Sequence, residues 1–200
     1  MSQDILIAGV GGQGTILASR ILASAGILSG QFVRTGETIG MSQRGGCVVS
    51  HVRIGSEEKS SYLPMGGGGL LIGFELAEAA RNIGKISRKG NGIINTQQIK
   101  PVPVSLGLQS YNTEEMKKYL ARHMKQSLFL DGYHLAEEAG SVKSVNVVLI
   151  GAACGAGYLE FEKDILLEAV CQNVPQRFVQ LNSDAFQLGY EFARKKRGIQ

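Results

Sequence analysis

The sequence predicts an α/β protein: a Rossmann-like, mostly parallel sheet flanked by helices, with some antiparallel strands, formed as one domain over residues 1–200. Three observations predict it. The apolar run Asp4-Ile5-Leu6-Ile7-Ala8 enters a glycine-rich turn, and Leu17, Ile21, Ala25 and Leu28 then recur at steps of three and four, which keeps one helix face apolar. Apolar runs and amphipathic segments go on alternating along the chain. With 200 residues and 44% hydrophobic content the chain can bury one sizeable core, and no repeat or interdomain linker divides it.

The turn itself reads Gly9-Val10-Gly11-Gly12-Gln13-Gly14. Gly9, Gly11 and Gly14 satisfy G-x-G-x-x-G, and a turn of this kind gathers backbone amides and a helix N-terminus that favour an anion. Two features count against a literal dinucleotide site. Gly12-Gln13 makes the loop more polar than the motif requires. Glu37 stands at about the expected spacing of roughly 20 residues, but Thr35-Gly36-Glu37-Thr38 reads as a loop rather than a strand end. A bound dinucleotide, a structural tight turn, and an anion- or partner-facing surface all stay open at this point.

Gln31 to Arg34 reads as a short second strand. The segment from Gly36 to Gly46, which contains Met41-Ser42-Gln43-Arg44-Gly45-Gly46, combines permissive glycines with an acid, an amide and a fork-shaped cation. Loops of that make-up often carry function. Cys47 to Ile54 follows as a strand, with Val48, Ser50, Val52 and Ile54 on one face and Val49, His51 and Arg53 on the other. His51, alone beside Arg53, reads as a hydrogen-bonded structural residue rather than a general base. Ser61 to Pro64 is expected to pair back as a short strand, and Gly66-Gly67-Gly68-Gly69 to form a mobile loop, because four glycines carry a large ordering entropy.

Leu70 to Phe74 is a buried-strand pattern, and Glu75 to Arg81 continues as helix, with Glu75 and Glu78 suiting the positive end of its dipole. Asn91 to Asn95 is another strand, while Pro101-Val102-Pro103-Val104 is held extended by its prolines. Thr113 opens a helix, with Thr113 or Asn112 as cap, and Ser127 to Asp131 and Tyr133 to Ala139 read as strand and short helix. The run Asn146 to Gly157 is apolar all round and therefore buried. Its small residues suit a tightly packed helix, although a strand over Val147 to Ile150 fits as well. Helices over Ile165 to Val170 and Asn182 to Lys196, the latter capped by Asn182 or Ser183, complete the chain.

Composition excludes several classes. Net charge is +4, and much of the excess sits in Arg194-Lys195-Lys196-Arg197, which reads as a solvated helix end; no aromatic residues interleave with it as a nucleic-acid platform would need. Cys47, Cys154 and Cys171 are scattered, so the chain is expected to hold no cluster and no metal alone, and to live in a reducing compartment. No stretch approaches about 18 apolar residues and no signal segment is visible, which predicts a soluble, cytoplasmic protein that avoids membranes. There is no nucleophile elbow, no P-loop lysine and no paired His-carboxylate motif, so no catalytic residue is expected in this chain alone.

The glycine turn, the run Glu37-Thr38-Ile39-Gly40-Met41-Ser42-Gln43-Arg44-Gly45-Gly46 and Val52-Arg53-Ile54-Gly55 resemble the small subunits of indolepyruvate ferredoxin oxidoreductases. More broadly the chain resembles, over its whole length, the gamma-type domain of the pyruvate/ketoisovalerate and other 2-oxoacid ferredoxin oxidoreductases. Met-Ser-Gln-Arg-Gly-Gly is the specific part. The resemblance implies an enzyme that oxidatively decarboxylates an aryl 2-oxoacid such as indolepyruvate, with CoA as co-substrate and ferredoxin as acceptor. It places thiamine diphosphate, Mg²⁺ and iron–sulfur clusters in a large partner subunit, with ferredoxin met through the complex. The isolated chain is then expected to be inactive, and free to pair with a second copy. Candidates for the shared cleft are Gly11, Gly12, Gln13 and Gly14 on the cofactor side, and Glu37, Met41, Ser42, Gln43, Arg44, Gly45 and Gly46 toward substrate or partner. The family often has an acid just before the strand Leu70 to Phe74; Gly69 stands there instead, so no function tied to that acid carries over. The alternatives are a stand-alone dinucleotide- or flavin-binding module and a purely structural scaffold subunit.

Overall fold

The computed structural model describes residues 2–40, 46–55, 57–99 and 111–198. Within them the strands are β1 (Gln3–Val10), β2 (Val33–Ile39), β3 (Cys47–Ile54), β4 (Gly68–Gly73), β5 (Ile86–Asn95) and β6 (Gln126–Leu130). The helices are α1 (Thr15–Leu28), α2 (Leu76–Asn82), α3 (Thr113–His123), α4 (Gly132–Glu138), α5 (Val145–Gly155), α6 (Lys163–Asn173) and α7 (Val179–Arg197). The strands form one sheet in the order β2-β3-β1-β4-β5-β6. β1, β4, β5 and β6 pair in parallel, whereas β3 runs antiparallel to both of its neighbours. The expected mostly parallel sheet with antiparallel additions is thus present, and β3 alone supplies the antiparallel pairs.

β1 sits in the middle and is buried on both sides, which is why it reads as an unbroken apolar run. Alternate residues serve two cores. Ile5 and Ile7, with Val52, Ile54, Leu70, Ile72 and Ile93, face α1, α5, α6 and α7. Leu6 and Ala8, with Val49, Leu71 and Ile94, face Leu76 and Ala79 of α2 and Leu120 of α3. The apolar run Asn146 to Gly157 is helical, as α5, because it is enclosed between the sheet and α7. A Cβ on Gly151, Gly155 or Gly189 would overlap the carbonyl oxygen of Phe186, Tyr190 or Val148 respectively, so the two helices cross with backbone against backbone.

Four local expectations are corrected. Thr35 to Thr38 is strand, not loop, since β2 pairs with β3 from Val33↔Ile54 to Ile39↔Val48; ladder partners decide the conformation where propensity is indifferent. Ser61 to Pro64 forms no strand. It is held by β3 side chains instead: Leu63 N–H donates to His51 Nδ1 (3.1 Å), and Arg53 donates to the carbonyls of Ser60 (3.1 Å) and Tyr62 (3.2 Å). Gly68 and Gly69 belong to β4 rather than to a mobile loop; Gly68 is opposite Ile86, and a Cβ there would come within 2.7 Å of the Ile86 side chain. Gly69 itself is not demanded by the backbone, as a Cβ there would meet only the Asp4 carbonyl at 3.7 Å. Finally, α7 starts at Val179, and Asn182 lies inside it, donating to the Phe178 carbonyl at 2.8 Å rather than capping.

Candidate functional site

In an open α/β sheet ligands gather outside the carboxyl ends of the parallel strands. Here that end begins with the glycine turn between β1 and α1. Gly12 and Gly14 have φ of 97° and 81°, a conformation that costs other residues energy. A Cβ on Gly14 would also lie 2.8 Å from the Asn146 side chain. Gly14 is the N-cap of α1, and no side chain satisfies the first helical amides. These amides and the helix dipole favour negative charge at this point.

Gln13 turns inward rather than toward a ligand. Its Oε1 accepts from Val10 N–H (2.9 Å), and its Nε2 donates to the Phe74 carbonyl (3.0 Å) and lies 3.4 Å from the Tyr133 hydroxyl. A Cβ on Gly9 would be 2.8 Å from Gln13 Oε1, so the space over Gly9 is taken by the chain's own side chain. Gly11 N–H donates to the Gly46 carbonyl (2.9 Å), which brings the turn and the end of the second motif together. Just before that motif's Met41, Gly40 N–H donates to the Cys47 carbonyl (2.8 Å). Met41, Ser42, Gln43, Arg44 and Gly45 lie outside the described residues. Glu37, half-buried on β2, accepts from Ser19 Oγ of α1 (3.2 Å) and is therefore tied to the flank of the same helix.

Sequence reasoning missed the polar groups that complete this end. The Phe74 carbonyl, at the end of β4, accepts a second bond from Asn95 Nδ2 (3.0 Å), and Asn95 Oδ1 accepts from Gly132 N–H at the start of α4 (2.9 Å). Asn95 is fully buried, so two amides pin the glycine turn, β4, β5 and α4 to one another. Beside them Glu75 caps α2, accepting from Glu78 N–H (3.0 Å), and Tyr111 donates its hydroxyl to the other Glu75 oxygen. Burial, then that bond, raises the Tyr111 pKa. Glu78 is buried with Oε1 on Arg81 and Oε2 without a partner. Burial pushes its pKa up against the opposing Arg81 charge, and the neighbouring Glu75 adds to the rise. The available signal was Glu75 three residues before Glu78 at a strand-to-helix junction, which is a cap spacing, and a polar Asn95 closing an apolar strand.

His51 is elsewhere, under the α2 face of the sheet. It is fully buried, with Tyr62 edge-on at 5.1 Å, and its pKa is lowered to about 4, chiefly by burial and then by the charges of Lys85 and Arg53. It is neutral and structural. Among the described residues no three His, Cys, Asp or Glu side chains group so as to hold a metal ion.

The profile of the pyruvate ferredoxin/flavodoxin oxidoreductase family matches residues 4–192. The chain is 36% identical over 198 residues to indolepyruvate oxidoreductase subunit IorB of Thermococcus kodakarensis, covering 98% of each. Its fold is similar to that of the keto/oxoacid ferredoxin oxidoreductase gamma subunit of Geobacter sulfurreducens, with a TM-score of 0.69 at 24% identity over 96% of this chain and 98% of that one. It is also similar to part of the 2-oxoglutarate:ferredoxin oxidoreductase of Magnetococcus marinus, solved with 2-oxoglutarate, coenzyme A and succinyl-CoA bound. There the TM-score is 0.74 at 20% identity, over 97% of this chain and 31% of that one.

Proposed function

The chain belongs to the pyruvate ferredoxin/flavodoxin oxidoreductase family, and on that premise we propose that it is the cluster-free small subunit of an indolepyruvate ferredoxin oxidoreductase. Its glycine turn and the Met41 to Gly46 motif, whose Gly46 bonds the turn, complete a cleft whose reactive groups the large subunit carries. The observation that carries this reading is the bond from Gly11 N–H to the Gly46 carbonyl, which joins the two motifs at the ligand-binding end of the sheet.

Thiamine diphosphate with Mg²⁺ supplies the decarboxylation chemistry in the large subunit, and iron–sulfur clusters there pass electrons on to ferredoxin. This chain binds and orients. The uncapped amides of α1 attract a carboxylate or a phosphate of the 2-oxoacid or CoA, and the Arg44 guanidinium is the second group proposed to meet that anion. The Gln13 amide ties the turn to the Phe74 carbonyl, and the Asn95 amide braces the same carbonyl from β5. No helix among the described residues is long and apolar enough to cross a membrane, which fits an enzyme working in the cytoplasm. The Gln13 side chain, bonded within the turn, weighs against a stand-alone dinucleotide module.

The test is co-expression with the large subunit and an assay of indolepyruvate-dependent reduction of an artificial acceptor with CoA present. Activity is expected only when both chains are there. In that complex Arg44→Ala should raise KM for CoA or for the 2-oxoacid about tenfold, the worth of one charge-assisted hydrogen bond. Unchanged kinetics would remove the cleft role, and loss of assembly with normal turnover per complex would make the chain a scaffold.

A further inference from the structure

β2 ends the sheet on one side, and among the described residues it pairs with β3 alone. Its ladder runs without a bulge from Val33↔Ile54 to Ile39↔Val48. Beyond the two ends, Gly55 N–H donates to the Phe32 carbonyl (2.8 Å) and Gly40 N–H to the Cys47 carbonyl (2.8 Å). Phe32 and Gly40 therefore turn their backbone groups toward β3, and by the alternation of an antiparallel ladder so do Arg34, Gly36 and Thr38. The N–H and C=O groups of Val33, Thr35, Glu37 and Ile39 point the other way, off the open edge. The Glu37 carbonyl has the Tyr62 hydroxyl at 3.4 Å, which leaves its second lone pair.

Open edges are ordinarily blunted by proline, lysine, a bulge or a covering element. β2 has no proline, no lysine and no bulge. Its two charges are engaged within the chain, for Arg34 donates to the Glu57 carbonyl (3.0 Å) and Glu37 accepts from Ser19. Apolar groups stand in the open beside it: Ile39 is 61% exposed, and Ile27, 66% exposed, follows Gly26, whose Cβ would meet Val33.

The strand is complementary to itself. When a second copy lies antiparallel with its outward groups facing these, a two-fold axis through Gly36 sets Val33 opposite Ile39 of the other copy and Thr35 opposite its Glu37. Each such pair exchanges two hydrogen bonds, with Arg34 beside Thr38 between them. Apolar meets apolar, and the Thr35 hydroxyl can donate to the Glu37 carboxylate. Moving the axis one residue forward would set Glu37 against its own copy, and one residue back would set Val33 against Glu37, so the side chains select one register.

We propose that the chain pairs with a second copy of itself through β2, joining two sheets into one across a two-fold axis at Gly36. The joint is isologous, as closed dimers require. It is also compatible with the cleft. β3 runs antiparallel to both β1 and β2, so β2 runs with β1 and Ile39 lies at the carboxyl end. The axis turns the two carboxyl ends in opposite directions, and each glycine turn stays open to a large subunit.

A double variant, Arg34→Cys with Thr38→Cys in one chain, reads the register. Both residues are exposed, and across the axis each faces the other in a non-hydrogen-bonded pair with Cα atoms about 4.5 Å apart, within disulfide reach. Within one chain they are ~13 Å apart and cannot bridge. Mild oxidation of the full-length double variant, alone and assembled with the large subunit, should give a covalent dimer of this chain on a non-reducing gel, whereas wild type and either single variant should not. Thr35→Pro removes an outward N–H and leaves the β3 ladder alone, so it should raise the dimer dissociation constant at least tenfold in sedimentation equilibrium. If the proline variant misfolds, Ile39→Lys at an exposed position should shift the constant in the same direction. Absence of the covalent dimer in both settings overturns the proposal: a wild type that is still dimeric then uses another face, and a monomeric one leaves the edge to the large subunit or to water. A dimer that tolerates both Thr35→Pro and Ile39→Lys overturns it as well.

Discussion

The two faces of the sheet are both buried, yet they are built differently. On one, α5 and α7 cross over Gly151, Gly155 and Gly189 with their backbones in contact, and the core around them is largely apolar, with the neutral amides of Asn146 and Asn182 among its buried polar groups. On the other, a smaller core is interrupted by His51, Glu75 and Glu78, all buried and all titratable. The first face is therefore the source of stability, and the second makes that stability depend on pH. The largest expected effect breaks the first face: Gly189→Leu forces a side chain into the Val148 carbonyl and should cost about 3 kcal/mol or more. Equilibrium urea unfolding checks it, and a variant within about 1 kcal/mol of wild type would mean that α5 and α7 can separate without loss.

The next effect sharpens the second face. His51 has a pKa lowered from 6.5 to about 4 in the folded chain, so the unfolded chain binds the extra proton first. Its contribution is present above pH 6.5 and is lost as pH falls toward 4, a decline on the order of 3 kcal/mol across that window. Unfolding curves measured across that window should show the decline in wild type and a flatter profile in His51→Gln. Equal slopes would place the acid sensitivity elsewhere.

The contrast between faces explains what was legible in the sequence. The apolar run of β1 and the periodicity of α1 were readable because burial of apolar side chains leaves a pattern, whereas Asn146 to Gly157, apolar all round, read as buried but left helix and strand both open. The glycine turn and the small residues of α5 were also readable, as a tight turn and a closely packed element. β2 was legible only at its start, Val33 and Arg34: Thr35, Gly36, Glu37 and Thr38 form strand because β3 lies alongside, and pairing between distant residues leaves little local signal. Of the candidate site, the glycines and Gly46 could be named, but the inward turn of Gln13 and the role of Asn95 could not. Both depend on the Phe74 carbonyl, which has no side-chain signature.

Asn95 lies where the apolar face meets the carboxyl end of the sheet, and replacing it by Leu separates packing from hydrogen bonding. The volume is nearly kept, but Gly132 N–H loses its acceptor while the Phe74 carbonyl keeps Gln13. A loss of about 2 kcal/mol is expected from one orphaned buried amide. In the assembled enzyme the turnover should also drop, because the turn loses a brace; a stability loss with normal turnover would make Asn95 structural only.

Glu78 gives the smallest and most diagnostic effect. One of its oxygens meets Arg81 and the other meets nothing, so burial outweighs the ion pair and its pKa is raised above 4.5. The folded chain then holds that proton more tightly than the unfolded one. The stabilisation is complete below pH 4.5 and is lost as pH rises through the raised value, opposite in sign to His51. Glu78→Gln keeps the shape and never ionises, so it should match wild type in acid and exceed it slightly near neutrality, by under about 1 kcal/mol given that Arg81 is well exposed. If the variant is instead weaker at neutral pH, the Arg81 pair wins over burial, and the second face is held together by charge rather than strained by it.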